Sequence, residues 1–212
     1  MKLKKGVKRF LIIFIILVIA VAAVFVYFKF FSGKNGNVKK VKVVDKIDKY
    51  GYQLKDSKNE AYKTEFKNLK EILNKDEVNY EDYAKSISKL FIIDFYSLDD
   101  KLAKTDVGGV DFVYKDEQVD FLEKAENTYY KYVESNVYGN RQQSLPIVDS
   151  VTVESIEQTS FKINSKNETD EKAYKVSVTW LYKNESGSGY QDSATLIVVH
   201  DGDVLLSVAE ME

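Results

Sequence analysis

Cysteine is absent from this chain of 212 residues; proline, histidine and tryptophan occur once each and methionine twice. Without cysteine there is no disulfide, no thiolate nucleophile, no cysteine-ligated metal and no lipid-modified cysteine behind a signal. The lone histidine, His200, has no neighbouring motif and supports neither a metal centre nor a catalytic triad. A single proline, Pro146, leaves long stretches free for regular structure. Neither sign of charge dominates, with 31 basic and 33 acidic side chains and a net charge of -2. No basic surface is demanded, so nucleic acid is not an expected partner.

What the chain does contain is an uncharged apolar run, Phe10–Phe28. At about 1.5 Å per residue it covers roughly 28 Å, close to the hydrocarbon core of a bilayer. Lys29, Phe30 and Phe31 extend it with a side chain that snorkels and rings suited to the headgroup level. Ala20-Val21-Ala22 has the small-x-small form of a cleavage site, but it lies inside the run, which favours an uncleaved signal anchor. The preceding tail holds Lys2, Lys4, Lys5, Lys8 and Arg9 and no acid, which predicts a cytoplasmic N-terminus despite lysines after the run. Residues 1–9 are therefore expected as a cytoplasmic tail and 10–31 as a transmembrane helix. Residues 32–44, rich in Gly, Asn and Lys, follow as a linker, and 45–212 as an extracytoplasmic domain.

The first half of that domain reads as helical. Asn59 is a candidate cap for a helix with Tyr62, Phe66, Leu69 and Leu73 spaced by four, three and four. Asn79 precedes Glu81 and Asp82, a start signal for a second helix whose buried stripe is Tyr83, Ile87, Leu90, Phe91 and Leu98. Ile92, Ile93, Phe95 and Tyr96 make its end apolar nearly all round, which predicts cover on more than one side. A turn-rich stretch leads to a third helix expected over Glu117–Glu134, with Val119, Leu122, Ala125, Tyr129, Tyr132 and Val133 on its face. After Asn136–Pro146 the period becomes two. Val151, Val153, Ile156, Phe161 and Ile163 mark one strand, and Ala173–Lys183 alternates sharply. Tyr190–His200 follows Gly187-Ser188-Gly189, and Asp201-Gly202 signals a hairpin into Val204–Met211. Three helices and then about four antiparallel strands define an α+β class.

The helix Lys89–Leu98 (KLFIIDFYSL) and the strands Ser150–Ile156 (SVTVESI) and Tyr174–Trp180 (YKVSVTW) give this order a familiar layout. It resembles the nuclear-transport-factor-two-like superfamily, in which helices pack into the concave face of a curved antiparallel sheet. With its short tail and one span it also resembles the inner-membrane assembly subunit of type IV secretion and conjugation systems. The likeness lies in layout across about residues 45–212, without a diagnostic motif. The chain lacks prolines around its first strand apart from Pro146, and Lys104–Tyr114 (KTDVGGVDFVY) has no counterpart in the pattern.

Few residues carry candidate chemistry. Asp94 falls on or beside the apolar stripe of the second helix. An unpaired carboxylate there would have a raised pKa and suit a general base, as in the superfamily's isomerases and dehydratases. A hydrogen-bonded structural acid is the plainer explanation. Gly108-Gly109 lacks the third glycine and the lysine of a phosphate loop, and reads as a sharp turn or close backbone approach. With Phe112 and Tyr114 directly after it, the segment is a candidate partner-contact loop. The acids from Asp99 to Asp120 do not follow calcium-loop spacing. Tyr129, Tyr130, Tyr132 and Tyr138 cannot all point inward, so an exposed aromatic face including Tyr130 is expected.

The sequence thus leads to a membrane-anchored, non-enzymatic subunit of a bacterial envelope complex, with other envelope proteins or further copies as partners and no cofactor or metal. The alternatives are a module holding a small apolar ligand between sheet and helices, lined by Tyr96 and Trp180, and a tethered lyase or isomerase using Asp94.

Overall fold

The computed structural model describes residues 41–183 and 187–212. The expected tail, span and most of the linker lie outside the described residues. Among the described residues no helix is long and apolar enough to cross a membrane.

The chain enters through a short antiparallel hairpin, β1 (Val43–Ile47) and β2 (Tyr52–Lys55), which sequence reasoning did not anticipate. Val43 and Val44, assigned to the linker, are its first residues. Gly51 sits at φ 75° and lets the chain reverse between the two strands. The hairpin is anchored by Tyr52, whose hydroxyl lies 2.7 Å from that of Tyr83 and donates to the Leu206 carbonyl at 3.4 Å. The Leu206 N–H in turn donates to the Tyr83 hydroxyl at 3.3 Å. Burial raises the Tyr83 pKa to about 12, so the pair is neutral at all physiological pH.

Both expected asparagine caps are present. Helix α1 (Glu60–Leu73) starts with the Tyr62 N–H donating to Asn59 Oδ1 at 2.9 Å. Helix α2 (Tyr80–Tyr96) starts with the Asp82 N–H donating to Asn79 Oδ1 at 3.1 Å. Each such cap is worth about 1 kcal/mol. The anticipated stripe of α1 is buried, and from Ile87 the apolar residues of α2 are enclosed on all sides. Leu98 is buried too but lies beyond the helix, which stops at Tyr96; its N–H donates to the Pro146 carbonyl at 2.9 Å.

Four strands make one antiparallel sheet in the order β3 (Val148–Ile163), β4 (Glu168–Tyr182), β5 (Ser193–Asp201) and β6 (Leu205–Met211). Val176, Val178 and Trp180 of β4, Leu196 and Val198 of β5, and Leu206 and Val208 of β6 are buried toward the helices. Helix α2 lies against all four strands, which explains its wrap-round apolar surface. Three register shifts interrupt β3 against β4, each a place where a strand bends and twists. The described structure is α+β, with three helices and a four-stranded antiparallel sheet.

The third helix is shorter than its apolar spacing suggested. Helix α3 covers Gln118–Asn127, and at Thr128 the backbone leaves helical geometry with ψ at -92°. The cause lies in Tyr130. Its hydroxyl donates to the Phe95 carbonyl at 2.6 Å and accepts from the Gly108 N–H at 3.1 Å. A continued helix would carry that side chain out of the core. Val119, expected inside, is 72% exposed.

Candidate functional site

Asp94 sits at the centre of a buried polar knot. Lys58, from the turn before α1, pairs with Asp94 Oδ1. Lys101, from the loop after α2, reaches the same oxygen at 2.8 Å and Asp100 at 2.5 Å. The Gly109 N–H donates to Asp94 Oδ2 at 2.9 Å. Burial alone pushes the Asp94 pKa up, but the charges of Lys101 and Lys58 and the Gly109 hydrogen bond outweigh it and hold the carboxyl well below its usual range. Burial likewise pulls Lys101 down, and Asp94 and Asp100 override it to raise the ammonium well above its usual value. This is the setting of a hydrogen-bonded structural acid, the plainer of the two explanations for Asp94, rather than that of a general base. Both oxygens of this carboxylate are engaged, and its lowered pKa leaves it ionised and only weakly basic near neutral pH.

The same knot corrects the partner-loop reading. Gly108, Gly109, Phe112 and Tyr114 are buried, and so is Tyr130. A Cβ on Gly108 would lie 2.1 Å from the Asp94 carbonyl oxygen, and one on Gly109, at φ 79°, 2.9 Å from the Phe91 ring. The two glycines exist because the chain must press against α2, as a close backbone approach requires. Phe112 packs on Tyr52 and Tyr62, with ring centroids 5.4 and 6.5 Å away. Tyr114 crosses the edge of β6 and joins Ile163, Ala173 and Val199 in a second small core. Exposed aromatic surface does exist, but at Tyr132 (76%) and Tyr138 (61%).

Sequence reasoning missed the feature with the clearest capacity to bind. A groove of about 760 Å³ opens between α3 and the end of β6. Its floor includes Phe91, Phe95, Tyr96, Phe121 and Ala125, and its rim carries Asp116, Glu117, Asp120 and Glu210 with one lysine, Lys124. Burial raises the Glu117 pKa, and the neighbouring Glu210, Asp116 and Asp120 raise it further. The size is typical of ligand sites, which join an apolar floor to a few polar groups. No local pattern foretold it, because its walls come from α2, the Val113–Glu117 segment, α3, the β3–β4 and β4–β5 connections and β6.

Tyr96 and Trp180, the expected cavity-lining pair, are in contact with ring centroids 4.5 Å apart and ring planes tilted by 38°. Tyr96 lines the groove and donates its hydroxyl to Gln191 Oε1 at 2.8 Å, whereas Trp180 lies behind it in the core. His200 has a structural setting. Its backbone N–H donates to Asp170 Oδ2 at 2.7 Å, and its Nδ1 lies 2.9 Å from the same oxygen. This contact ties β5 to β4 beyond Tyr174↔Val198, where their paired ladder ends. Among the described residues no cluster of three or more metal-ligating side chains occurs.

The fold and site together define an α+β domain with a neutralised ionic core and an acid-rimmed apolar groove. No protein-family model, curated protein or solved structure matches the chain.

Proposed function

We propose that the protein is a membrane-anchored, extracytoplasmic assembly subunit of a bacterial envelope complex, acting by binding rather than catalysis. The apolar run at 10–31 supplies the anchor in this reading, and a nuclear-transport-factor-two-like arrangement supplies the fold. A conjugation or secretion machine is the named case, from likeness of layout. The observation that carries the binding role is the groove, whose apolar floor is rimmed by four acids and a single lysine. Restriction to a membrane raises the effective concentration of such a domain, so weak contacts add up over several copies. The ionic pairing of Asp94 weighs against the lyase or isomerase alternative.

A small-ligand module is the second reading, favoured by the groove volume and by Tyr96 on its floor. One experiment separates the two. A photoreactive residue at Asp120, on the groove rim, is compared in native membranes with one at exposed Glu171 on β4. The assembly reading expects discrete adducts with identified envelope proteins from Asp120 and not from Glu171. Adducts with lipid or metabolite alone would favour the small-ligand module, and equal yields from both positions would remove the groove as the site.

A further inference from the structure

Beside Val208 of β6 the chain begins a fifth strand and then abandons it. Val113 bridges Val208 in parallel, and the Tyr114 N–H donates to the Val208 carbonyl at 2.9 Å. At Lys115 the chain turns into a short 3-10 helix, Lys115–Glu117, and then α3. The strand position next to Ala209–Met211 is thereby left to the groove. Four consecutive residues, Val208 to Met211, line it. Neighbouring residues of a strand point to opposite faces, so a groove touching all four reaches the sheet's edge.

The hydrogen-bond register fixes which groups are offered. Thr195 and Glu212 exchange both backbone bonds at 2.9 Å. Alternation then turns the N–H and C=O of Met211 away from β5, toward the open side. Two backbone groups, an apolar floor on one face and acids on the rim form a combined demand. A second copy of this chain would bring the same acids, and an anionic lipid headgroup would be repelled by them. A partner strand carrying lysine or arginine between apolar residues meets all three features.

We propose that the groove takes an extended segment of a partner protein, basic and apolar in alternation, as an added strand beside Met211. This rests on the reading of the domain as a partner-binding subunit and names the chemistry of what it binds.

The test uses the full-length chain in detergent micelles and a short, capped, fluorescently labelled peptide of alternating valine and lysine. Two analogues are N-methylated, one on the valines and the other on the lysines. N–H groups of alternate residues point to opposite edges of a strand, so pairing along one edge tolerates one set and not the other. A lysine–serine peptide measures attraction by charge alone. Anisotropy is expected to show saturable binding of the unmodified peptide, with the two methylated analogues differing by about tenfold in Kd. The lysine–serine peptide is expected to bind about tenfold more weakly. Glu117→Gln with Glu210→Gln is expected to weaken the unmodified peptide by about tenfold, with an unchanged circular dichroism spectrum. No binding, equal affinity of the two analogues, or indifference to the rim variant would overturn the proposal. Protein adducts from Asp120 alongside a failed peptide would sink only strand addition, whereas absence of such adducts sinks the broader reading.

Discussion

Two groups of carboxylates in this domain obey opposite rules. Asp94 and Asp100 are enclosed with Lys58 and Lys101, and each acid has a lysine within ion-pair distance. Asp116, Glu117, Asp120 and Glu210 ring the groove with only Lys124 among them. Sinking ions into a low-dielectric interior costs several kcal/mol each and is tolerated only with close pairing. Acids left unmatched at an accessible edge cost little and retain an unspent field for a cation. The buried group explains how the fold is held; the open group shows where it has attraction to spare.

The sharpest way to break the first group is Lys101→Met. It strands Asp100 without its lysine and leaves Asp94 with Lys58 alone, so the expected loss is about 3–5 kcal/mol, read from denaturant unfolding. Gly108→Ala attacks the same knot by volume. Its methyl would sit 2.1 Å from a backbone carbonyl, and an expected loss of about 1–3 kcal/mol in the same assay checks it. A loss below about 0.5 kcal/mol in both would show the knot to be incidental.

Proton linkage separates Asp94 from Glu117, whose folded pKa values move in opposite directions; burial raises Asp100, inside the knot, as it raises Glu117. Asp94 has a lowered folded pKa, so its contribution is fully present above the ordinary carboxylate value of about 3.9 and is lost as pH falls through the folded value. Glu117 has a raised folded pKa, so the folded state holds its proton longer and stability declines as pH rises through that value. Unfolding free energy measured from pH 2 upward should therefore have a shallower acid slope in Asp94→Asn, with the part due to Asp45, Glu60 and Asp170 remaining. In Glu117→Gln the acid slope should remain, and the small decline above the ordinary glutamate range should disappear.

The smallest expected effect on stability belongs to the rim itself. Glu117→Gln with Glu210→Gln should leave the unfolding free energy within about 0.5 kcal/mol of the parent chain. A loss comparable to that of Lys101→Met would mean that the rim acids are structural after all.

Much of the scaffold was legible along the chain. The spacing of Tyr62, Phe66, Leu69 and Leu73 and the caps Asn59 and Asn79 are local signals, and local physics decided them. The alternation of Tyr174–Trp180 and the turn at Asp201-Gly202 fixed β4 and the β5–β6 hairpin in the same way. Failures occurred where distant groups decided. Helix α3 stops early because Tyr130 is drawn to Phe95 and Gly108. Helical spacing puts Asp94 on or beside the apolar stripe of α2, and it is buried there. Its lysine partners, however, sit in irregular segments, at a sequence separation of 36 for Lys58 and 7 for Lys101, where no periodicity marks them. Phe112 and Tyr114, directly after Gly108-Gly109, give the segment the marks of a partner-contact loop, yet they fill two separate cores. The groove could not be seen in advance, since it is a property of how segments far apart in the chain meet.

Whether the groove acids bind a partner is decided by photo-crosslinking from Asp120 in native membranes. The parent chain is compared with the Glu117→Gln, Glu210→Gln variant at equal protein abundance. A binding role for the rim acids implies that adducts with envelope proteins fall several-fold in the variant while its abundance and unfolding midpoint stay the same. Adducts that persist unchanged in the variant would contradict it.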